Sequence, residues 1–166
     1  MFSINKVNGL DKSEFLLIFA NIFEKNEWIA DQAFELKPFK DLNDFYLKIT
    51  KIYENCTKEK IFKIFNAHPD LVIEKKLTND SKKEQTGASL NECSEKEFLE
   101  FKILNEKYKK KFNFPFIIAV KGKNKNEILE IFKVRVNNSI EKEFEEAKNQ
   151  VKKIALIRLN QIFENN

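Results

Sequence analysis

Residues 94–122 read SEKEFLEFKILNEKYKKKFNFPFIIAVKG, and this segment contains the two patterns from which the fold class is predicted. Ser94 and Glu97 have the spacing of a capping box, in which two side chains satisfy free N–H groups at the start of a helix. Apolar residues then recur at helical spacing as far as Tyr108, which indicates a long amphipathic helix. Residues 114–120 form a run that is too short and too apolar for a surface helix, so we predict a short buried extended segment there.

Helix signals continue on both sides of this segment. Asp11 precedes Glu14 with the spacing of a second capping box. Asp41 and Thr57 are candidate N-caps of two later helices. We therefore predict an all-α fold, a single compact domain of about seven to nine helices that spans residues 1–166. Helices are predicted from Asp11 to Phe23, Trp28 to Phe34, Asp41 to Tyr53 and Thr57 to His68, near Ser81, from Ser94 to Tyr108, from Ile128 to Val136, and after Asn138.

The composition agrees with a helical domain. The chain has 166 residues, of which 42% are hydrophobic and 34% charged, which is enough to bury one sizeable core. Three Gly and three Pro are too few for a many-turned all-β sandwich. The longest apolar runs, residues 15–20 and 114–120, are far shorter than the roughly 20 residues that cross a bilayer. No membrane-spanning segment is predicted.

The charge pattern does not favour a nucleic-acid partner. The net charge is +4, and the 30 basic residues are 28 Lys with only Arg135 and Arg158, interspersed with 26 acids. Interleaved charges of both signs form a solvated surface, and no basic block alternates with aromatic residues. The N-terminus lacks a basic segment followed by an apolar one, and the C-terminal Glu164-Asn165-Asn166 matches no peroxisomal signal. We therefore predict a cytoplasmic protein with no nucleic-acid and no membrane partner.

Few residues are available for metal or disulfide chemistry. Cys56 and Cys93 lie far apart without a C-x-x-C partner, and His68 is the only histidine. Sites that need two imidazoles, such as the H-E-x-x-H motif or a facial triad, are therefore excluded. We predict two free thiols and no transition-metal site, whereas these counts do not exclude Mg²⁺ bound by carboxylates alone.

His68 precedes Pro69 in the last turn of a predicted helix, and it has two interpretations. It shares a helix face with Ile64 and Phe65, which is typical of a hydrogen-bonded core histidine. A helix C-terminus, however, favours the imidazolium form, whereas apolar neighbours disfavour it. The balance of the two effects can leave a group that titrates near neutral pH and transfers protons.

Ser81, Glu84 and Gln85 also have a structural and a functional interpretation. The spacing Ser-x-x-Glu is the one that caps a helix, and on spacing alone it favours capping. In the functional interpretation Glu84 and Gln85 face a pocket. The carboxylate then relays a proton, and the amide binds a urea-like group.

The two arginines are predicted to differ in role. Arg135 lies at a helix end and is interpreted as structural. Arg158 lies on the inward stripe of the last helix, where an anion must neutralise it. That anion is either a buried Asp or Glu or the carboxylate of a substrate. The backbone from Phe116 to Val120 is either ordinary core or supplies N–H groups to a carbonyl-rich ligand.

Five short fragments follow one another along the chain, namely Phe23-Glu24 with Trp28-Ile29-Ala30, Ala67-His68-Pro69-Asp70-Leu71, Ser81-x-x-Glu84-Gln85, Asn105-x-x-Tyr108 with Lys111-Phe112-x-Phe114-Pro115-Phe116, and Arg135-x-x-Asn138. In this order they resemble the 2-oxo-4-hydroxy-4-carboxy-5-ureidoimidazoline (OHCU) decarboxylases of urate degradation. The resemblance covers most of the chain, and five fragments in register are specific. Ser89 and Asn113 depart from the family pattern because similar enzymes carry glycine there, and Asn tolerates the left-handed backbone region best among non-glycines.

The resemblance implies a helical enzyme that is typically a homodimer and needs no cofactor. The implied activity is that of a carboxy-lyase, which converts OHCU, a small-molecule substrate, to (S)-allantoin and CO₂. His68 and Glu84 are implied as the catalytic pair. The implied substrate-binding residues are Pro69, Ser81, Gln85, Phe116, Ile117, Ile118, Ala119, Val120 and Arg158, and no metal ligand is implied.

Two other functions fit the same sequence. A non-catalytic helical interaction module would use His68-Pro69 as a helix stop and Ser81-x-x-Glu84 as a cap. An inactive paralogue of the family would keep the fold and most of the motifs. The optical activity of the allantoin formed in the reaction separates an active enzyme from both.

Overall fold

The computed structural model describes residues 3–72 and 77–164. The remaining residues lie outside the described ranges, among them Asn165 and Asn166, on which the localisation prediction partly rests. The described residues form nine α-helices and one 3₁₀ turn and contain no strand, which confirms the prediction of an all-α fold. The helices are α1 (Ile4–Gly9), α2 (Lys12–Phe19), α3 (Glu27–Phe34), α4 (Leu42–Glu54), α5 (Lys58–Ala67), α6 (Asn79–Gly87), α7 (Glu95–Phe112), α8 (Lys125–Arg135) and α9 (Ile140–Glu164), with the 3₁₀ turn at Leu90–Glu92.

The chain divides into two compact units. The first unit comprises residues 1–67 and 152–166, and the second comprises residues 68–151. Helices α1 to α5 belong to the first unit, α6 to α8 belong to the second, and α9 contributes residues to both. None of the helices in the described ranges is long and apolar enough to cross a membrane.

Local capping signals account for most of the helix starts. The predicted capping boxes at Asp11 and Ser94 are both present, and Asp41 caps α4 by accepting a backbone N–H. The side chain of Thr57 accepts the N–H of Lys60, the third residue of α5, and Thr57 thus begins this helix as predicted. The helix after Asp11 is not the first, however, because the short α1, capped by Ser3, precedes it. Its six residues bury only one side chain, so it has no periodicity from which a helix could be predicted.

The first unit is built around a cluster of phenylalanine rings. The ring centroid of Phe15 lies 4.7 Å from that of Phe19 and 5.7 Å from that of Phe45. Phe39, from the connection between α3 and α4, stacks on Phe45 at 4.4 Å. All four rings are buried. Burying each ring contributes roughly 1.5–3 kcal/mol, so this cluster is a large part of the stabilisation of the unit.

The second unit contains the predicted buried extended segment. Residues 115–120 have no helical structure and are all buried, which confirms this part of the fold prediction. The ring of Phe116 stacks on that of Phe132 from α8 with centroids 3.8 Å apart. Tyr108 from α7 meets Phe116 edge-on, with centroids 5.3 Å apart. The segment is therefore held against α7 and α8 by aromatic contacts.

Candidate active site

His68 is the first residue after α5, which ends at Ala67. The prediction put His68 in the last helical turn, whereas the structure places it in a bend one residue beyond the helix. The helix ends before Pro69 because a residue that precedes proline disfavours the α conformation. His68 and Pro69 are half-buried. We refer to residues 68–72 as the His68 loop.

Helix α6 carries three of the polar residues that were predicted for the site. Its N-cap is Thr78, whose side chain accepts the N–H of Ser81. The interpretation of Ser81 as the cap is therefore wrong, because Thr78 occupies the capping position three residues earlier. Ser81 and Gln85 are buried and Glu84 is half-buried. Because these residues are three and four positions apart, they share one face of the helix.

Gln85 joins α6 to the His68 loop. Its Nε2 atom donates to the carbonyl oxygen of Asp70 at 3.3 Å, and its Oε1 atom accepts the N–H of Val72 at 3.2 Å. One side-chain amide thus satisfies both a donor and an acceptor of a non-helical backbone. In this structure the residue that was predicted to bind substrate holds the loop that follows His68.

Two further residues of α7 hold the same loop, and the sequence interpretation assigned neither a role. Asn105 donates from Nδ2 to the carbonyl oxygen of Leu71 at 2.9 Å. Lys109, one turn later, donates from Nζ to Oδ2 of Asp70 at 2.6 Å. The available signal was the position of Asn105, a polar residue on the apolar stripe of a predicted helix. A buried polar side chain needs a partner, but its spacing along the chain does not identify that partner.

The predicted binding segment, residues 116–120, is held by side chains from two helices. Arg135 donates from Nη1 to the carbonyl oxygen of Ile117 at 2.9 Å. Gln150 of α9 accepts the N–H of Ala119 at Oε1, also at 2.9 Å. These bonds fix the backbone on both sides of residue 118.

Ile118 lies between these two fixed residues and is 6% exposed. In the part of the chain that the structure describes, neither its N–H nor its C=O takes part in a hydrogen bond. A buried N–H group without an acceptor is costly, so the group is available for an oxygen atom of a ligand. This arrangement is compatible with the predicted ligand-binding role of the segment.

Arg135 is fixed by a buried polar network around Glu143. Nε and Nη2 of Arg135 donate to Oε1 of Glu143 at 3.0 and 2.6 Å, and Asn138 donates to Oε2 at 2.8 Å. The hydroxyl of Tyr108 donates to Oε1 at 2.5 Å. Burial, together with the charge of Glu143, raises the pKa of Tyr108, so its hydroxyl keeps its proton. The network agrees with the structural interpretation of Arg135.

Arg158 lies in the first unit, on α9, and it is bound to a buried carboxylate. Its Nη2 atom lies 2.8 Å from Oε2 of Glu24, and its Nη1 donates to the carbonyl oxygen of Asn21 at 2.9 Å. Glu24 is fully buried, and Arg158 is 4% exposed. Of the two anions predicted for this arginine, the structure therefore shows a buried glutamate.

The described residues contain no group of three or more His, Cys, Asp or Glu side chains that could hold a metal ion. Cys56 and Cys93 are free and half-buried. Burial raises the pKa of both thiols, so neither is activated as a nucleophile.

Comparison with known proteins identifies the class to which this fold and site belong. Residues 8–160 match the family model described as OHCU decarboxylase. The 2-oxo-4-hydroxy-4-carboxy-5-ureidoimidazoline decarboxylase of Haloferax volcanii is 34% identical over 97% of this chain and 96% of its own length. The uric acid degradation bifunctional protein of Bacillus sp. (strain TB-90) is 37% identical over 100% of this chain.

The structural similarity agrees with the sequence similarity. A crystal structure of OHCU decarboxylase in the presence of (S)-allantoin matches with a TM-score of 0.72 and 25% identity, over 87% of this chain and 96% of that one. The chain therefore belongs to the OHCU decarboxylase family. It spans only 34% of the length of the Bacillus relative, about a third of that bifunctional protein.

Proposed function

We propose that the protein catalyses the decarboxylation of OHCU to (S)-allantoin and CO₂ in urate degradation. The observation that carries this proposal is the similarity to the Haloferax volcanii decarboxylase, which extends over nearly the whole of both chains. The family model extends over both compact units, which supports treating residues 1–166 as one functional domain.

The substrate itself supplies the electron sink. The carbon that bears the hydroxyl and the carboxylate is bonded to the carbon of a ring imine. When the bond to the carboxylate breaks, its electron pair forms a C=C bond to the imine carbon, and the imine pair moves to nitrogen, which takes a proton. The resulting enol then loses its hydroxyl proton and gains a proton on the former imine carbon. Protonation of one face of that carbon gives (S)-allantoin instead of a racemate.

The protein must therefore supply orientation and proton transfer, and we assign the proton transfer to two residues of the second unit. His68 handles the proton of the hydroxyl or of the developing enol, and Glu84 orients His68 or relays that proton. The half-burial of both side chains supports access from a ligand. The free N–H of Ile118 binds an oxygen of the substrate in an environment with little competing water. The other proposed ligand contacts are Pro69, Ser81, Gln85, Phe116, Ile117, Ala119, Val120 and Arg158.

We further propose a cytoplasmic homodimer that uses no metal or cofactor. The low number of metal-ligating residue types supports the last point, since the chain has one histidine and two cysteines. Exhaustive dialysis against EDTA is expected to leave the turnover unchanged. Activity lost on chelation and restored by one divalent ion would contradict a cofactor-free mechanism.

The test of the function uses freshly generated OHCU. Circular dichroism of the product is expected to show (S)-allantoin with the protein and the racemate without it. His68→Asn and Glu84→Gln are each expected to lower turnover by about 10² to 10⁴-fold, because they remove proton-transfer groups. Both variants should keep the helical signal of the parent. A racemic product at the spontaneous rate with the folded parent protein would refute the proposal.

A further inference from the structure

The backbone of the His68 loop is held by two side chains, one from each of two helices. Gln85 of α6 binds the carbonyl oxygen of Asp70 and the N–H of Val72. Asn105 of α7 binds the carbonyl oxygen of Leu71. Three consecutive residues are thus bound by buried amides, which is unusual for a connecting segment, since loops commonly satisfy their backbone with water.

The side chain of Asp70 is held as well. It is 10% exposed, and its partner Lys109 contacts it at 2.6 Å while remaining 42% exposed. The lysine therefore neutralises a nearly buried carboxylate two residues after His68. An uncompensated carboxylate in that position would be costly, so the ion pair favours one position of the loop.

The conformation of Val72 shows that the loop is constrained. Its φ is 54°, in the left-handed region, which is a genuine outlier for a β-branched residue. Such a backbone persists only where the surrounding contacts over-determine it, and these outliers cluster at functional sites. Here the amide of Gln85 binds the N–H of Val72 itself.

We propose that Asn105 and Lys109 of α7 are positioning residues that fix His68 for proton transfer, although they are not catalytic residues themselves. This inference rests on the proposed function. His68 lies at the start of the loop that these residues hold, and it lacks a helix to fix its backbone. A displacement of about 1 Å from productive geometry can cost about 10²-fold in rate, so the loop contacts control turnover.

The kinetic arm of the test compares neighbouring lysines on the same helix. Lys109→Met is expected to lower kcat about 10- to 100-fold with little change in KM, because His68 shifts while the proposed ligand contacts outside the His68 loop remain. Lys109→Arg keeps the charge and the donor and should restore most of kcat. Lys110→Met removes an exposed charge one residue away and should match the parent enzyme. Equal losses in Lys109→Met and Lys110→Met would overturn the proposal.

A second variant separates positioning from stability. Asn105→Leu removes the donor to Leu71 together with Oδ1, which is buried without a partner in the described part of the chain. Losing that unpaired acceptor offsets part of the lost hydrogen bond, so we expect a small change in the denaturation midpoint and a large fall in kcat. A fall in midpoint with kcat unchanged would show a merely structural role.

The spectroscopic arm does not depend on the proposed function. His68 is the only histidine, so its imidazole Cε1–H signal in an NMR spectrum is unambiguous. At fixed pH the signal should shift or split in Lys109→Met and Asn105→Leu, and should be unchanged in Lys110→Met and Lys109→Arg. Unchanged signals in both loop variants would overturn the positioning of His68 even in an active enzyme. If the parent protein lacks decarboxylase activity, the proposed function fails, and this signal alone still decides whether α7 positions His68.

Discussion

The two arginines of the chain lie in different units and have similar surroundings. Arg135 in the second unit and Arg158 in the first are 6% and 4% exposed, and each is paired with a fully buried glutamate. Each guanidinium also donates to a backbone carbonyl oxygen, Arg135 to Ile117 and Arg158 to Asn21. The two arginines differ in which part of the chain their backbone partner belongs to. Ile117 belongs to the proposed ligand segment, whereas Asn21 follows the end of α2.

Burial of an arginine beside a carboxylate does not by itself distinguish a structural role from a ligand-binding role. Position along the chain predicts a structural Arg135 and leaves the anion of Arg158 open, and only the family resemblance implies that Arg158 binds substrate. The structure pairs both arginines with a buried carboxylate. An ion pair of this kind is compatible with either role, because a guanidinium carries five N–H donors and one carboxylate does not use all of them. Stability and ligand affinity, measured on the same variants, therefore distinguish the two roles.

The largest expected effect is on the stability of Arg135 variants. Arg135→Ala leaves Glu143 charged and fully buried, so we expect it to lower the free energy of unfolding by about 3–5 kcal/mol. Urea denaturation followed by circular dichroism measures the change. Arg135→Lys keeps the charge but loses the planar fork, and it should fall between Ala and the parent. A loss below about 1 kcal/mol in Arg135→Ala would contradict a structural role for this network.

The next effect concerns ligand affinity at Arg158. If Arg158 donates hydrogen bonds to an oxygen atom that substrate and product share, Arg158→Lys should weaken (S)-allantoin binding by about 10- to 100-fold, or about 1.5–3 kcal/mol. Calorimetric titration of the folded variant measures this affinity. Lys153→Met is the control and should bind as the parent does, since it removes an exposed cation from the same helix. Equal affinity in Arg158→Lys and the parent would remove Arg158 from the site and leave it as the partner of Glu24.

Local signals in the sequence predicted the fold better than they predicted partners. The capping boxes at Asp11 and Ser94 are predicted correctly because the two residues of each box lie only three positions apart. Ser81 was misread because two overlapping signals compete there, and Thr78 takes the cap. Glu143 could not be predicted as the partner of Arg135, because the pairing depends on the packing of separate helices, and spacing along the chain does not determine that packing.

In the proposed site, too, local features could be predicted from the sequence, whereas contacts between distant residues could not. The His68-Pro69 helix stop and the buried segment at residues 114–120 are predicted from residues that are adjacent in the chain. The contacts that hold them, from Asn105, Lys109 and Gln150, come from helices 31 to 39 residues away. Sequence patterns therefore predicted which residues are available, and the structure was needed to show what each one binds.

A smaller effect is expected for the hydroxyl of Tyr108. Tyr108→Phe removes one donor to Glu143 and should lower the free energy of unfolding by about 2 kcal/mol at neutral pH. The pKa of Tyr108 is raised in the folded protein, chiefly by burial, so its contribution is present below pH 10 and is lost above it, where the unfolded chain releases the proton. The parent should therefore lose about 1.4 kcal/mol more per pH unit above pH 10 than Tyr108→Phe does. Parallel pH profiles for the two proteins would contradict this assignment.

The smallest effect is expected for an exposed ion pair on the same helix as Arg135. Lys133 contacts Glu100 at 2.9 Å and Glu130 at 2.8 Å, so it has two carboxylate partners where Arg135 has one. Solvent screens these contacts because the lysine side chain is 39% exposed, whereas Glu143 is fully buried. Hydrogen bonds to Glu130 and Glu100 raise the pKa of Lys133, so its contribution to stability is present at neutral pH and is lost only as pH rises above 10.5.

We expect Lys133→Met to shift Tm by less than about 4 °C, and to shift it less still at 1 M salt, where the Debye length is about 3 Å. Arg135→Ala should show no such salt dependence, because its partner is out of contact with the solvent ions. A Tm shift in Lys133→Met as large as that in Arg135→Ala would mean that the number of carboxylate partners, and not their burial, decides what a cation contributes to this fold.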